Sequence, residues 1–286
     1  MTDFGVVVLS MGNRPVELER GLASLLQQRE VTLDVLVVGN GWEPTGLPSG
    51  VRGHGLATNV GVPEGRNIGA AAVSGDVLLF FDDDLVLDDA GMLATVRDAF
   101  AADPALGVLQ PRAVDPGGGA TARRHVPRLR TADPERSGDV AWFWEGCSFV
   151  RRSAFERVGG WPGHFVYGHE GIELAWQLID AGYRIRYAAE LSVQNPPAEP
   201  FRAPRHQYFN ARNRVWVARR NLPHPVLELY LLVWMVATFA RARGRANALA
   251  AARGFLDGAR QPAGGRRPIS WRAVWRLTRL GRPPIV

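Results

Sequence analysis

The stretch VLLFFDDDLVL, residues 77–87, decides the fold, because it places three aspartates directly after five apolar residues. The apolar run 77–81 predicts a buried strand, since strands covered on both faces are almost continuously apolar. Adjacent carboxylates repel one another, and burying one without a partner is costly. The triplet is therefore either a solvated turn or the place where a cation binds.

The residues before this stretch alternate between strand-like and helix-like segments. Two apolar runs, FGVVVLS (4–10) and LDVLVVGN (33–40), have the composition of buried strands. The segments PVELERGLASLLQQ (15–28) and PEGRNIGAAAVSG (63–75) each begin with proline, which is favoured at the first position of a helix. This alternation predicts an α/β fold with a mostly parallel sheet flanked by helices.

Beyond the triplet, the pattern predicts a helix over 88–102 and strands over 106–114 and 140–152. Residues 115–139 are rich in Gly, Pro, Arg and Asp and show little periodicity. We therefore predict a long surface loop there, of the kind that often covers a functional site.

Polar side chains stand where the predicted strands end. Ser10 closes the first strand, Asn40 the second, and Asp82, Asp83 and Asp84 the strand of the opening stretch. Ligands of open α/β sheets bind outside the carboxyl ends of the strands, so these side chains are expected to share one crevice. The D-x-D spacing of Asp82 and Asp84 suits a hard cation such as Mg²⁺ or Mn²⁺.

A glycine-rich segment precedes the acidic strand. In NVGVPEGRNIGAA (59–71), glycines surround Arg66 and Asn67. A guanidinium can pair with phosphate or with a loop carboxylate, so Arg66 points to either partner.

The order of VVVLS (6–10), N-x-G-x-x-x-G-R-N-x-G (59–69) and FFDDD (80–84) resembles the inverting glycosyltransferases of family 2. The segment 145–187 is similar to the acceptor side of that family, where an E-D-x-D/E-L motif opens a helix. The resemblance covers residues 4–195. It implies a GT-A fold, which is a Rossmann-like nucleotide-diphospho-sugar transferase, and the tail resembles a subset common in actinobacterial genomes.

The resemblance implies transfer of a sugar from a nucleoside diphosphate, a UDP- or dTDP-sugar, to a hydroxyl of a glycan, a lipid-linked glycan or a natural product. A divalent cation would neutralise the departing diphosphate. The residues that the resemblance assigns to the donor are Ser10, Asn40, Arg66, Asn67, Asp82 and Asp83. Those that it assigns to the metal are Asp82 and Asp84, with Asn195 at the place of a third ligand.

The chain departs from the family at two positions of the site. Gly171 stands where the family has the aspartate that serves as base, which leaves Glu170, Glu173 and His169 as candidates, with Glu170 favoured. The histidine that often supplies the third metal ligand is replaced by Asn195 or its neighbour Gln194. His206 is a weaker candidate for that place.

Aromatic residues flank the acceptor segment. Trp144 and Trp161 are the candidates for stacking on a sugar ring, and packing in the core is the alternative.

The last third of the chain differs in charge. We divide the chain into a catalytic domain, 1–200, and a helical extension, 201–286, which packs on that domain or on a membrane surface. From Arg241 onward there are eleven arginines and one acid, Asp257. The apolar run 226–240 falls short of the ~20 residues that span a bilayer. It predicts either a buried helix or an interfacial helix on anionic lipid.

Other readings predict different partners and locations. Nucleic acid is a less favoured partner for the basic tail, and we expect no nucleic-acid binding. The beginning MTDFGVVVLS lacks the features of a secretory signal, so we expect a cytoplasmic protein, peripheral at the inner face of the plasma membrane. A catalytically silent relative that binds nucleotide or glycan, or acts as a scaffold, is the main alternative. A nucleotidyltransferase is disfavoured, because SMGNRP (10–15) is not the glycine-rich loop of that class.

Overall fold

The computed structural model describes residues 2–127, 133–197 and 204–285 of the chain. Its strands are β1 Phe4–Ser10, β2 Leu33–Asn40, β3 Val51–Leu56, β4 Val77–Asp82, β5 Val86–Leu87, β6 Leu106–Val114, β7 Gly138–Asp139, β8 Cys147–Arg151 and β9 Arg184–Gln194. Its α-helices are α1 Pro15–Leu26, α2 Val62–Ala72, α3 Met92–Ala102, α4 Arg152–Val158, α5 Glu170–Asp180, α6 Pro204–Asn221, α7 Val226–Arg241, α8 Arg245–Arg260 and α9 Trp271–Arg279. The α/β class expected from the sequence is confirmed.

One mixed sheet runs through the molecule, in the order β3-β2-β1-β4-β8-β6-β9-β5, with β7 also paired to β9. The strands β1 to β4 are parallel, as their alternation with helices predicted. β8 lies antiparallel between β4 and β6. This direction brings the amino end of β8 next to the carboxyl end of β4, and the amide of Asp82 donates to the carbonyl of Gly146 at 2.8 Å.

Both faces of the sheet are covered by apolar packing, which explains the continuous apolar run of β4. Leu78 and Phe80 belong to the core on one face, while Leu79 and Phe81 belong to the core on the other. Side chains alternate between faces along a strand, so a strand buried on both sides needs apolar residues at every position.

The predicted strand over 140–152 is wrong in its first half, because β8 begins only at Cys147. Val140 and Phe143 precede it in a loop and are fully buried. These residues are apolar because they are buried, although they lie outside the strands.

The predicted surface loop over 115–139 lies partly outside the described residues, which omit 128–132. In the described part, a single 3₁₀ turn spans Arg123–His125, and β7 follows. His125 and Val126 are buried, so this part of the segment packs against the body of the protein.

The C-terminal helices are tied to the helix α5. Both oxygens of Glu173 accept hydrogen bonds from Arg220 of α6, at 2.7–3.0 Å, and Asn221 adds a bond of 2.8 Å. Tyr230 of α7 is buried against Trp176 of α5.

The helix α7 is amphipathic in its burial. Tyr230 is its one buried residue, while Leu232 and Val236 are 56% and 61% exposed. In the described ranges, no helix combines the length and the apolar character needed to cross a bilayer.

Candidate active site

The three aspartates lie at the carboxyl end of β4, each with its own partner. Asp82 accepts a hydrogen bond from Arg66 at 2.8 Å, and Asp83 accepts one from the Ser10 hydroxyl at 2.6 Å. Asp84 is paired with Arg14, in the loop after β1. The strand ends therefore do converge on one rim, as their parallel arrangement predicted.

The carboxylates remain electrostatically crowded in spite of these partners. Burial, together with the neighbouring charges of Asp82 and Asp84, raises the pKa of Asp83 to about 6. Asp82 keeps 39% of its side chain exposed to the crevice, yet the protein packed around its other sides raises its pKa, with Arg66 opposing the rise. Such a cluster favours a bound cation, because a cation would offset both the desolvation and the repulsion.

Arg66 is a buried residue that holds the acidic turn. Only 4% of it is exposed, and its guanidinium lies 5.5 Å from the centre of the Trp161 ring. Of the two partners considered for Arg66, the structure shows the loop carboxylate.

The side chains of Asn40 and Asn67 both make hydrogen bonds to the main chain of neighbouring loops. The Asn40 amide accepts from the Val60 amide at 2.8 Å and donates to the Gly61 carbonyl at 3.3 Å. The Asn67 amide makes two bonds of 2.9 Å with the main chain of Trp161. Asn40 still lines the crevice, whereas Asn67 does not.

The crevice at the strand ends has a volume of about 450 Å³. Ser10, Asn40, Asp82 and Asp83 lie on the sheet side. The other side consists of residues from the α5 and α6 region, which the sequence did not single out as donor contacts: Val166, Tyr167, Arg205, His206 and Phe209. The space is sufficient for a nucleotide-sized ligand.

The proposed third metal ligand is turned elsewhere. The Asn195 amide lies 3.3–3.4 Å from the ring nitrogens of His125, and Gln194 donates to Asp88 at 2.6 Å. Across the described part of the chain, no three His, Cys, Asp or Glu side chains are gathered closely enough to hold a metal ion. Asp82 and Asp84 would thus need a substrate to complete a coordination shell.

Glu145 fills the space above Gly171. A Cβ placed on Gly171 would lie 1.9 Å from Oε1 of Glu145, so no side chain fits there while Glu145 is in place. The family aspartate is therefore absent, but another carboxylate occupies its surroundings. Sequence reasoning missed Glu145 because the contact joins segments 26 residues apart, and no spacing rule connects them.

Glu145, which is half-buried, and Glu170, which is buried, form a pair of interacting carboxylates. Burial raises the pKa of Glu145 to about 7, and the charge of Glu170 adds to the rise. Burial also raises the pKa of Glu170, while its own backbone N–H and that of Gly168 stabilise the charged form. Its Oε2 is buried without a hydrogen-bond partner among the described residues.

The other two candidates for the base differ from this pair. Glu173 is bound by Arg220 and Asn221, and none of Glu145, Glu170 and Glu173 lines the crevice at the strand ends. The ring nitrogens of His169 are buried and make no hydrogen bond of good geometry with the described residues. The backbone of Asn210 lies near the ring and favours its charged form. Burial and the charge of Arg214 lower its pKa well below the usual range, which keeps the imidazole neutral.

The two tryptophans predicted to stack on a sugar ring both pack against other aromatic side chains. Trp161 is 2% exposed and packs on Phe80, with ring centres 5.1 Å apart. Trp144 stacks on His125 at 4.4 Å. For Trp161, core packing is the correct reading.

The sheet, with a crevice at its strand ends, defines a GT-A glycosyltransferase fold. A crystal structure of GalNAc-T7 with UDP, GalNAc and Mn²⁺ has a TM-score of 0.65 at 14% identity, covering 92% of this chain and 57% of that one. The mannosyltransferase PcManGT from Pyrobaculum calidifontis, in complex with GDP-Man and Mn²⁺, has a TM-score of 0.56 at 19% identity, covering 97% and 83%. At these identities the likeness shows the fold alone.

Residues 6–159 match glycosyl transferase family 2, and the chain belongs to that family. Pre-mycofactocin glycosyltransferase of Mycobacterium tuberculosis is 29% identical over 163 residues, which are 54% of this chain and 32% of the relative. The O-antigen chain rhamnosyltransferase RfbN of Salmonella typhimurium is 27% identical over 161 residues, 51% and 49% of the two chains. The matches thus span a third to a half of the relatives' own length.

Proposed function

We propose that this chain is a metal-dependent inverting glycosyltransferase that moves a sugar from a UDP- or dTDP-sugar to a hydroxyl of a glycan, a lipid-linked glycan or a natural product. The observation that carries the proposal is the pairing of two sites. The amide of Asp82 in the acidic turn donates to the Gly146 carbonyl, and the adjacent Glu145 interacts with Glu170 in a second carboxylate site. Solved structures of the same fold, with UDP or GDP-mannose and Mn²⁺, support this reading.

The acidic turn fits a divalent cation shared with the donor. Asp82 and Asp84 supply hard oxygen ligands, and Mg²⁺ is commonly held by one or two carboxylates together with substrate phosphates. When bound, the cation would stabilise the charge of the departing diphosphate. Arg14, which is paired with Asp84 here, would exchange that partner for the donor phosphates.

The carboxylate pair would remove the proton from the acceptor. At neutral pH, a carboxyl group with a pKa of about 7 is both partly ionised and basic enough to accept a proton. As the hydroxyl attacks the anomeric carbon from the face opposite the diphosphate, the carbon–oxygen bond to the diphosphate breaks and the configuration inverts. Glu170 keeps the role expected from the sequence, and Glu145 joins it because it takes up the room above Gly171.

A donor panel tests the proposal. The full chain is incubated with UDP-, dTDP- and GDP-sugars and with Mn²⁺, Mg²⁺ or EDTA, and the release of nucleoside diphosphate is followed. We expect slow, metal-dependent hydrolysis of one donor class. Donor binding without turnover, unchanged in Glu170→Ala, would instead support the silent relative, which the missing aspartate at Gly171 favours.

We also propose that the protein is cytoplasmic and contacts the inner face of the plasma membrane through α7. The exposed apolar side chains of this helix and the basic residues that follow it are the features of an interfacial helix. Such a position would suit a lipid-linked acceptor.

A further inference from the structure

A second cavity lies next to Glu145, separate from the crevice at the strand ends. Its volume is about 200 Å³. It is enclosed by the loop before β8, by α5, α6 and α7, and by the segment after α9 that contains Arg282. At roughly 30 Å³ for each water molecule, it has room for six or seven waters, or for one small polar molecule.

Two arginines line this cavity without an acidic partner. Arg214 stacks on Trp234, with its guanidinium 3.6 Å from the ring centre, and Arg282 stacks on Trp142 at 4.6 Å. The polar contact of Arg214 is the Tyr230 hydroxyl at 3.5 Å. No carboxylate of residues 2–127, 133–197 or 204–285 lies within 4.0 Å of either guanidinium.

Nearby arginines have partners of two kinds. Arg66 is paired with Asp82 and Arg220 with Glu173, whereas the buried Arg212 donates to the Phe165 carbonyl and to Asn213. Burial lowers the pKa of Arg282 to about 10, and the charge of Arg214 contributes to that decrease. Two like charges that line one cavity repel each other, and an anion bound between them would offset that repulsion.

The cavity is also rich in hydrogen-bond donors. The indole nitrogens of Trp142 and Trp234 are buried and have no acceptor among the described residues. An indole N–H can only donate, as can a guanidinium. The two guanidiniums that line the cavity are the complement of a carboxylate or a phosphate.

Glu145 lines the cavity and belongs to the carboxylate pair as well. We propose that the cavity binds an anionic group, a carboxylate or a phosphate, on the acceptor, and so orients a hydroxyl of that acceptor toward Glu145. The inference rests on the proposed function and adds to it that the acceptor is an acid. The planar guanidiniums of Arg214 and Arg282 hold the anion, while the rings of Trp142 and Trp234 keep both side chains in place.

Binding of three matched probes tests the proposal. D-Glucuronate, D-glucose 6-phosphate and D-glucose share a sugar ring and differ in the group at carbon 6. Each is titrated into the full chain, with tryptophan fluorescence and saturation-transfer NMR as readouts. We expect at least one of the two acids to bind about tenfold more tightly than glucose, since a charge-assisted hydrogen bond contributes that much. Preference for glucuronate assigns the cavity to a carboxylate, and preference for glucose 6-phosphate assigns it to a phosphate.

Substitution at the arginines ties the binding to the cavity. Arg214→Gln and Arg282→Gln should each abolish the preference for the acid, while Arg253→Gln, at an exposed position of α8, should keep it. Circular dichroism and thermal melting show whether each variant is folded, and Arg282→Gln carries the test if Arg214→Gln unfolds.

The result that overturns the proposal is equal binding of acid and glucose by the wild type, or an acid preference that survives both arginine substitutions. Titration of UDP-, dTDP- and GDP-sugars into the same samples separates this outcome from failure of the proposed function. Donor binding without acid preference refutes the acidic acceptor alone, whereas absence of binding by every donor refutes the proposed function.

Discussion

Replacement of Glu145 by Gln tests the carboxylate pair directly. The amide keeps the shape of the side chain and the filling above Gly171 but cannot accept the proton. General base catalysis contributes about 10²–10⁴-fold, so we expect kcat to fall by that factor. Because the pKa of Glu145 lies at about 7, the wild-type rate should fall as the pH decreases below neutrality.

The same substitution should have the opposite effect on stability. A carboxyl group whose pKa is raised by folding binds its proton more tightly in the folded protein. Its charged form therefore destabilises the fold once the pH exceeds the ordinary pKa of 4.5, and the full loss is reached above the folded value of about 7. A rise of this size corresponds to roughly 3 kcal/mol, so Glu145→Gln should be more stable than the wild type at about pH 8 by up to that amount.

The assay is a pH profile of transfer, or of donor hydrolysis, from about pH 5 to 9, together with urea unfolding at its two ends. Glu173→Gln is the matched control, because this buried carboxylate of α5 is bound to Arg220. The control should lose about 3 kcal/mol of stability and keep the wild-type profile. Should Glu145→Gln retain kcat within about threefold and also the decline below pH 7, Glu145 is not the base.

Three further predictions follow from other contacts. Asp84→Ala should weaken donor binding in the presence of Mn²⁺ by at least about tenfold, and the difference should vanish in EDTA, as calorimetric titration would show. Asn67→Ala should lower the free energy of unfolding by roughly 1–3 kcal/mol, through loss of its two bonds to Trp161, and leave the donor affinity unchanged. The double variant Leu232→Ser, Val236→Ser should reduce sedimentation with anionic vesicles; equal binding of the wild type to anionic and neutral vesicles would exclude the electrostatic part of that contact.

Much of the fold follows from local patterns. The apolar runs of β1, β2 and β4 and the prolines before the helices are short-range signals, and they give the parallel half of the sheet. The polar residues at the ends of these strands meet as expected, because parallel strands share a rim. Ser10 and the aspartates could therefore be placed together from sequence alone.

What escaped prediction depends on distant segments. The antiparallel insertion of β8 has no local signature, yet it alone brings Glu145 next to the end of β4. The ion pair of Glu173 with Arg220 joins positions 47 residues apart. The sequence does not show whether a glutamate is a catalytic base or a member of an ion pair. The two roles differ only in which residues contact the carboxylate.

The helix α6 contributes to both binding spaces. Its first turns supply Arg205 and Phe209 to the crevice, and further along it supplies Arg214 to the cavity, while Arg220 anchors it to α5. Family membership was recognised over 6–159, ahead of this helix. If the two spaces hold donor and acceptor as proposed, exchange of this one helix between relatives would change the fit of both substrates in a single step.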